Sequence, residues 1–363
     1  EEITYLHPML EPILKETYGI MIYQEQVMNI ARALGGYTMG GADKLRKVMG
    51  KKMRDEIPKQ RKMFMEGAVK NGIEESTAGA IFDQMEKFAS YGFNKSHAAA
   101  YSLISYQTAY LKAHYPVEFM CAVMSLDITN TDKLLFFKDE CKKLGFKVLK
   151  PDINHSGSDF VVEDSNIRYA LGAVKGVGEA NMRAIVAERE AHGPYKDISD
   201  FIHRTDIKQI NRRQLEQLIK AGAFDCLEKN RGRLFANVET IMRHIASSSE
   251  LKTSEQASLF GNEELHAKVK LADKPDWPEL EKLKLEAEAI GFYLSAHPLD
   301  SYGKGMERLG VKNCSEIFRN IRTGDSIRAK VAGCVNSFQK RISKTGNKYA
   351  FLELSDASGS FEG

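Results

Sequence analysis

The stretch Leu171-Gly172-Ala173-Val174-Lys175-Gly176-Val177-Gly178-Glu179-Ala180 has the apolar-x-Gly-apolar-Gly spacing of a helix-hairpin-helix. Gly176 and Gly178 let the backbone turn tightly enough for its N–H groups to face outward. Those amides stand at the start of a helix expected from Glu179, where the aligned peptide dipoles favour an anion. The anion that suits this arrangement is a DNA phosphate, contacted without reading sequence. The plain structural alternative is an αα turn that binds nothing. Arg212 and Arg213 open a second helical pair running to Ala221-Gly222-Ala223-Phe224, as a tandem arrangement would. The predicted DNA contacts are therefore Lys175, Gly176, Val177, Gly178, Arg212 and Arg213.

Upstream of the hairpin, residues 8–150 read as mostly helical. Residues 20–34 are apolar at helical spacing and stop at Gly35-Gly36. Gly40-Gly41-Ala42-Asp43 opens a basic stretch in which residues 44–62 hold nine Lys or Arg against Asp55 and Glu56, a net charge of +7. Such a run is commonly a solvated helix face. Further helices are expected at about 76–89 and 98–114, and at 117–125 behind Pro116. The break Tyr91-Gly92-Phe93-Asn94-Lys95-Ser96-His97 sets Asn, Lys and His at a helix start, where donors can gather around a phosphate or a base. Its plainer reading is a helix N-terminus capped by Ser96. Tyr23, Gln24 and Gln26 by themselves are ordinary amphipathic-helix residues.

Downstream, residues 147–171 shift to short strand-like pieces, and helices return from 179 to about 245. Residues 246–255 are small and polar and read as a mobile linker. One more helix follows Glu279. From Ser326 the signal is β, with a strand at 327–335, a turn at Lys344-Thr345-Gly346-Asn347 and a strand at 349–354. That order fits the first strands of an OB-type barrel, left incomplete.

The 363 residues allow two or three domains. No apolar run approaches the roughly 20 residues of a membrane span, and the polar, acidic start is no secretory signal. The chain lacks an initiator Met and stops in a strand-like region, so both ends read as cuts through a longer protein. Five cysteines, at 121, 141, 226, 314 and 334, form no CxxC pair and suit reduced core thiols of a cytoplasm. No Asp-x-Asp, P-loop, HExxH or Gly-x-Ser-x-Gly occurs. Paired carboxylates that would hold two Mg²⁺ for phosphoryl chemistry are thus not visible, and no catalytic or metal-ligating residue is expected in this chain.

Gln256-Ala257-Ser258-Leu259-Phe260 follows the expected linker. Adjacent Leu259 and Phe260 cannot comfortably share one buried face of a helix or strand. A short extended peptide offering both to a partner's pocket, with Gln256 adding a directional amide contact, accounts for them better than a loop folded back on the helix near 283–290.

With these pieces in order, the chain resembles the bacterial DNA polymerase III alpha-subunit family, the C-family replicative polymerases. The resemblance is carried by Tyr5-Leu6-His7-Pro8, Tyr18-Gly19-Ile20-Met21-Ile22-Tyr23-Gln24-Glu25-Gln26-Val27-Met28, Gly40 through Asp43, Tyr91 through His97, Lys112-Ala113-His114-Tyr115-Pro116, the Gly176/Gly178 hairpin and Gln256 through Phe260. It covers essentially the whole chain.

The resemblance implies a mainly α, multidomain architecture. Residues 1–150 would be part of the fingers and 151–250 the tandem helix-hairpin-helix region. Residues 251–325 would be the clamp-binding peptide with a connecting helical segment, and 326–363 the start of a truncated OB domain. It implies nucleotide contacts at Arg46, Lys47, Lys51, Asn94, Lys95 and His97. Lys47 stands where another member has arginine, so it would act on phosphate as a point charge only. Gln256, Leu259 and Phe260 match the family's sliding-clamp motif. Mg²⁺ would be bound by a palm lying outside this chain, leaving the chain alone inactive. Implied partners are primer-template DNA, dNTP, the sliding clamp and the other holoenzyme subunits, in the cytoplasm and with no membrane. Two other readings remain open: a non-catalytic, clamp-tethered DNA-binding scaffold, and the error-prone paralogue of the same family.

Overall fold

The computed structural model describes residues 3–89, 91–253, 268–321, 326–343 and 345–363. They are mainly helical, with a small antiparallel sheet at the C-terminal end. The chain forms two compact units, Glu1–Leu111 and Lys112–Gly363.

The first unit holds α1 (Glu11–Leu14), α2 (Gln24–Gly35), α3 (Met39–Gly50), α4 (Ile57–Lys70), α5 (Glu75–Ala89) and most of α6 (Lys95–His114). In α2 the buried side chains Val27, Ile30, Ala31 and Leu34 recur at one helical face. Gly36 then ends the helix in the left-handed region, at φ +69°. Residues 20–23, expected to be helical, are not. A parallel bridge pairs Tyr23 with Phe93, and this long-range pairing holds the segment extended until Gln24.

The basic stretch spans two helices. Thr38 caps α3 by accepting the Gly41 N–H at 3.1 Å, and Pro58 stands at the start of α4. Leu45, Val48, Met49, Phe64 and Ala68 turn inward, which leaves the cations on the outer faces. Phe64 and Phe82 meet at 5.6 Å between ring centroids in the core. No residue of α6 is buried.

The second unit opens with α7 (Pro116–Leu126) and α8 (Thr131–Leu144). Their Met120, Cys121, Met124, Leu134 and Cys141 join the core that continues into the hairpin region. Strands β1 (Val148–Leu149), β2 (Val161–Glu163) and β3 (Asn166–Arg168) make a small sheet in the order β1-β3-β2, with β1 parallel and β2 antiparallel to β3. Helices α9 (Glu179–His192), α10 (Ile198–Arg204), α11 (Arg212–Lys220), α12 (Arg231–Ala236), α13 (Val238–Thr253) and α14 (Glu279–Ile290) follow. Short helices α15 (Gly303–Arg308) and α16 (Cys314–Asn320) precede the antiparallel sheet of β4 (Cys334–Ile342), β5 (Lys348–Asp356) and β6 (Gly359–Glu362).

Three local expectations are corrected. The linker expected at 246–255 is helical through Thr253, because Ser248 and Ser249 are buried rather than solvated. Ser249 Oγ accepts the Ile207 N–H at 3.0 Å, a contact that composition cannot show. The strand expected at 327–335 begins only at Cys334, with a single bridge between Lys330 and Val311 before it. The cysteines are all free, but Cys226 is exposed rather than in the core.

Candidate functional site

In the first unit, the Tyr23–Phe93 pairing brings two predicted segments together. The Gln24 N–H donates to Phe93 O at 3.0 Å, and Gln24 Nε2 donates to Gly92 O at 2.8 Å. The same Gln24 side chain accepts from Arg46 at 3.0 Å. Gln24 therefore ties the basic helix α3 to the loop that starts α6. Asp43 sits one turn before Arg46 and Lys47 and accepts from Arg46 at 2.7 Å and Lys47 at 2.7 Å. These bonds, Lys47 first and then Arg46, hold the Asp43 carboxyl below the usual aspartate range. Lys51 lies at the C-terminal cap of α3 with its side chain exposed.

At the start of α6, Asn94 is the cap rather than Ser96: Asn94 Oδ1 accepts the His97 N–H at 2.9 Å. Lys95 is held twice. Its Nζ donates to both oxygens of Glu16 at 2.7 Å, and its backbone N–H donates to Glu25 Oε2 at 3.0 Å. The hydrogen bond to Glu16, and then the charges around it, raise the Lys95 amine above its ordinary value. His97 stacks on Tyr101 with centroids 4.3 Å apart, and Phe93 meets its edge at 5.2 Å. Lys95, Glu16 and Glu25 line a groove of about 810 Å³ together with Lys15, Asn29 and Arg32. Arg46 does not line it, so Arg46 and Lys95 are tied to one loop by separate links. Sequence pattern alone does not mark Gln24, Glu16 or Glu25 as site residues. The carboxylates meet Lys95 across 79 and 70 positions of chain, and no local pattern signals that.

In the second unit the hairpin is built as its glycines require. Gly176 and Gly178 take φ of +76° and +83°, and Gly178 is the N-cap of α9. Two of the expected outward amides turn inward instead. The Lys175 N–H donates to Ala289 O at 2.8 Å, and the Val177 N–H to Val174 O at 3.1 Å. The N–H groups of Gly176, Gly178 and Glu179 have no partner among the described residues. The buried Gln214 side chain donates to Val177 O and accepts from Asn181 at 3.1 Å, pinning the hairpin to α11. Arg213 lies over Gly176, its Nε 3.4 Å from where a β-carbon would stand, and forms no ion pair among the described residues. Arg212 is paired with Glu216 and Glu239, each at 2.9 Å. Arg213 thus lies over the turn at Gly176, whereas the exposed Lys175 carries its Nζ to Gly291, 2.9 Å from where a β-carbon there would stand.

Gln256, Leu259 and Phe260 lie outside the described residues. Among the described residues, no group of three or more His, Cys, Asp or Glu could hold a metal ion. Among them, too, no helix is long and apolar enough to cross a membrane.

Residues 1–72 match the family model described as the bacterial DNA polymerase III alpha subunit finger domain, and residues 145–234 match a helix-hairpin-helix motif. DNA polymerase III subunit alpha of Neisseria meningitidis serogroup A is 47% identical over 100% of this chain. That of Escherichia coli K12 is 45% identical over 100% of the chain, and that of Caulobacter vibrioides 44% over 98%. The chain spans about a third of the length of these curated relatives, 31% to 32%.

Proposed function

The chain belongs to the bacterial DNA polymerase III alpha-subunit family, and on that footing we propose that it is the nucleotide- and DNA-holding part of a replicative DNA-directed DNA polymerase. The observation that carries this reading is the similarity over the whole chain, joined to the convergence of α3 and the start of α6 on Gln24. Arg46, Lys47, Lys51, Asn94, Lys95 and His97 bind the incoming dNTP. The cations meet its phosphates, and the stacked His97–Tyr101 pair offers an aromatic face to its base. The hairpin at Lys175–Gly178, with Arg212 and Arg213, grips the primer-template backbone without sequence preference. Gln256, Leu259 and Phe260 bind the sliding clamp, and the C-terminal sheet begins an OB domain.

The parent reaction joins a deoxynucleoside monophosphate to a primer 3′ end and releases pyrophosphate. In this proposal the Mg²⁺ chemistry belongs to parts of the parent outside this chain. The chain itself supplies positive charge and positioning. It works in the cytoplasm with the other holoenzyme subunits. Steady-state primer extension by the intact alpha subunit tests the nucleotide role. Arg46→Ala should raise the KM for dNTP on the order of tenfold, as loss of a charge-assisted phosphate contact would, with primer-template affinity unchanged. A clamp-tethered scaffold would instead show normal nucleotide kinetics in that variant.

A further inference from the structure

Lys95 is surrounded by anions before any ligand arrives. Glu16, in the turn Lys15–Thr17, presents both carboxylate oxygens to Nζ at 2.7 Å. Glu25, in the first turn of α2, takes the backbone N–H of the same residue at 3.0 Å. That N–H is the first free donor of α6, the place where a helix favours a negative group. Two carboxylates from separate segments therefore fill both anion-binding positions that Lys95 offers.

The arrangement is not a core contact. The Lys95 and Glu16 side chains are each 47% exposed, and exposed ion pairs hold little stability. All three residues line the open groove of about 810 Å³, so there is room for Glu16 to swing away and for another anion to enter. A side-chain carboxylate carries one negative charge, whereas a triphosphate carries several, so the larger anion competes well for the same donors.

We propose that Glu16 and Glu25 are placeholder anions that hold Lys95 ready and are displaced by the nucleotide's triphosphate. This rests on reading Lys95 as a triphosphate contact. Both carboxylates are positioning residues, and they set specificity for highly charged ligands. A triphosphate gains from exchanging with them, while a weakly charged ligand does not overcome their hold on Lys95. The KM for nucleotide is accordingly higher than Lys95 alone would give.

The test uses the intact alpha subunit in steady-state primer extension, with tripolyphosphate as a competitive probe. The variants are Glu16→Gln, Glu16→Asp, Glu25→Gln, Lys95→Ala and the Glu16→Gln, Lys95→Ala double variant. Lys95→Ala should raise the KM for dNTP. Glu16→Gln should lower the KM for dNTP and the inhibition constant of tripolyphosphate by about threefold, the scale of one exposed ion pair. Glu25→Gln should act in the same direction, and Glu16→Asp, which keeps the charge but shortens the side chain, should lower the KM less than Glu16→Gln does. In the double variant the effect of Glu16→Gln should vanish. Primer-template affinity and the unfolding midpoint should not move in Glu16→Gln. A raised or unchanged KM in Glu16→Gln, with Lys95→Ala still impaired, would overturn the placeholder role alone. An unchanged KM in Lys95→Ala would overturn the nucleotide contact itself, and the placeholder role with it.

Discussion

Gly67 in α4 rests directly on the backbone of Gly35 at the end of α2. A β-carbon on Gly67 would come within 2.6 Å of the Gly35 carbonyl carbon, and one on Gly35 within 2.6 Å of Phe64 Cδ2. Neither neighbour is a flexible side-chain tip, since one is backbone and the other is a fully buried ring. Gly67→Ala should therefore destabilise the first unit by about 3 kcal/mol, the scale of overpacking, despite the helix-propensity gain of about 1 kcal/mol. Chemical denaturation of the intact subunit, followed by probes in this unit, measures it. An unchanged midpoint would mean the two helices part without cost.

The hairpin makes a different kind of prediction. Gly178 combines φ +83° with ψ 130°, a conformation that strains any other L-residue. Gly178→Ala should weaken duplex binding equally on unrelated DNA sequences. Arg213→Gln should flatten the dependence of log affinity on log salt by about 0.9, one phosphate contact. Fluorescence anisotropy over a salt series reads both. A sequence-selective loss, or an unaltered slope in Arg213→Gln, would contradict phosphate binding at the hairpin.

For the proposed clamp contact, the Leu259→Ala, Phe260→Ala double variant should lose at least about 2 kcal/mol of binding to the sliding clamp. Its unfolding midpoint should match wild type. If clamp affinity persists while the midpoint drops, these two residues serve the core and the docking role fails.

Acid sensitivity can be assigned to Asp225. It accepts from Lys150 at 2.6 Å and from buried Arg231 at 2.7 and 2.8 Å. Burial pushes its carboxyl upward, but the bonds and charges of Arg231 and Lys150 outweigh it, and the net shift is downward. Such a group stabilises the fold above its unfolded value of about 3.9. That stability is lost as pH falls through the lower folded value. Asp225→Asn should cost about 3 kcal/mol near neutral pH by leaving Arg231 underpaired, and the gap to wild type should shrink below pH 4. A pH series of denaturation curves checks it, and a gap that stays constant down to pH 2 would exclude this assignment.

The sequence by itself determined whatever depends on near neighbours. The buried stripe of Val27, Ile30, Ala31 and Leu34 repeats at the helical period, and Gly36 marks the end of α2. Gly176 and Gly178 announce positive φ because other residues resist it. The family resemblance over the whole chain belongs here as well. The tertiary structure alone decided what depends on distant partners. Asn94 rather than Ser96 caps α6, since the helix begins at Lys95 and the N–H in reach of a cap is that of His97. Ser248 and Ser249 look like linker by composition, but lie buried against α10 and the turn at Ile207. Gln24, an ordinary helix residue by pattern, becomes the link between Arg46 and the Gly92 loop. Glu16 and Glu25 reach Lys95 only because the Tyr23–Phe93 bridge closes a loop of about seventy residues. Periodicity reports which face of an element is buried, but it carries no record of which far segment supplies the hydrogen bond or the opposite charge.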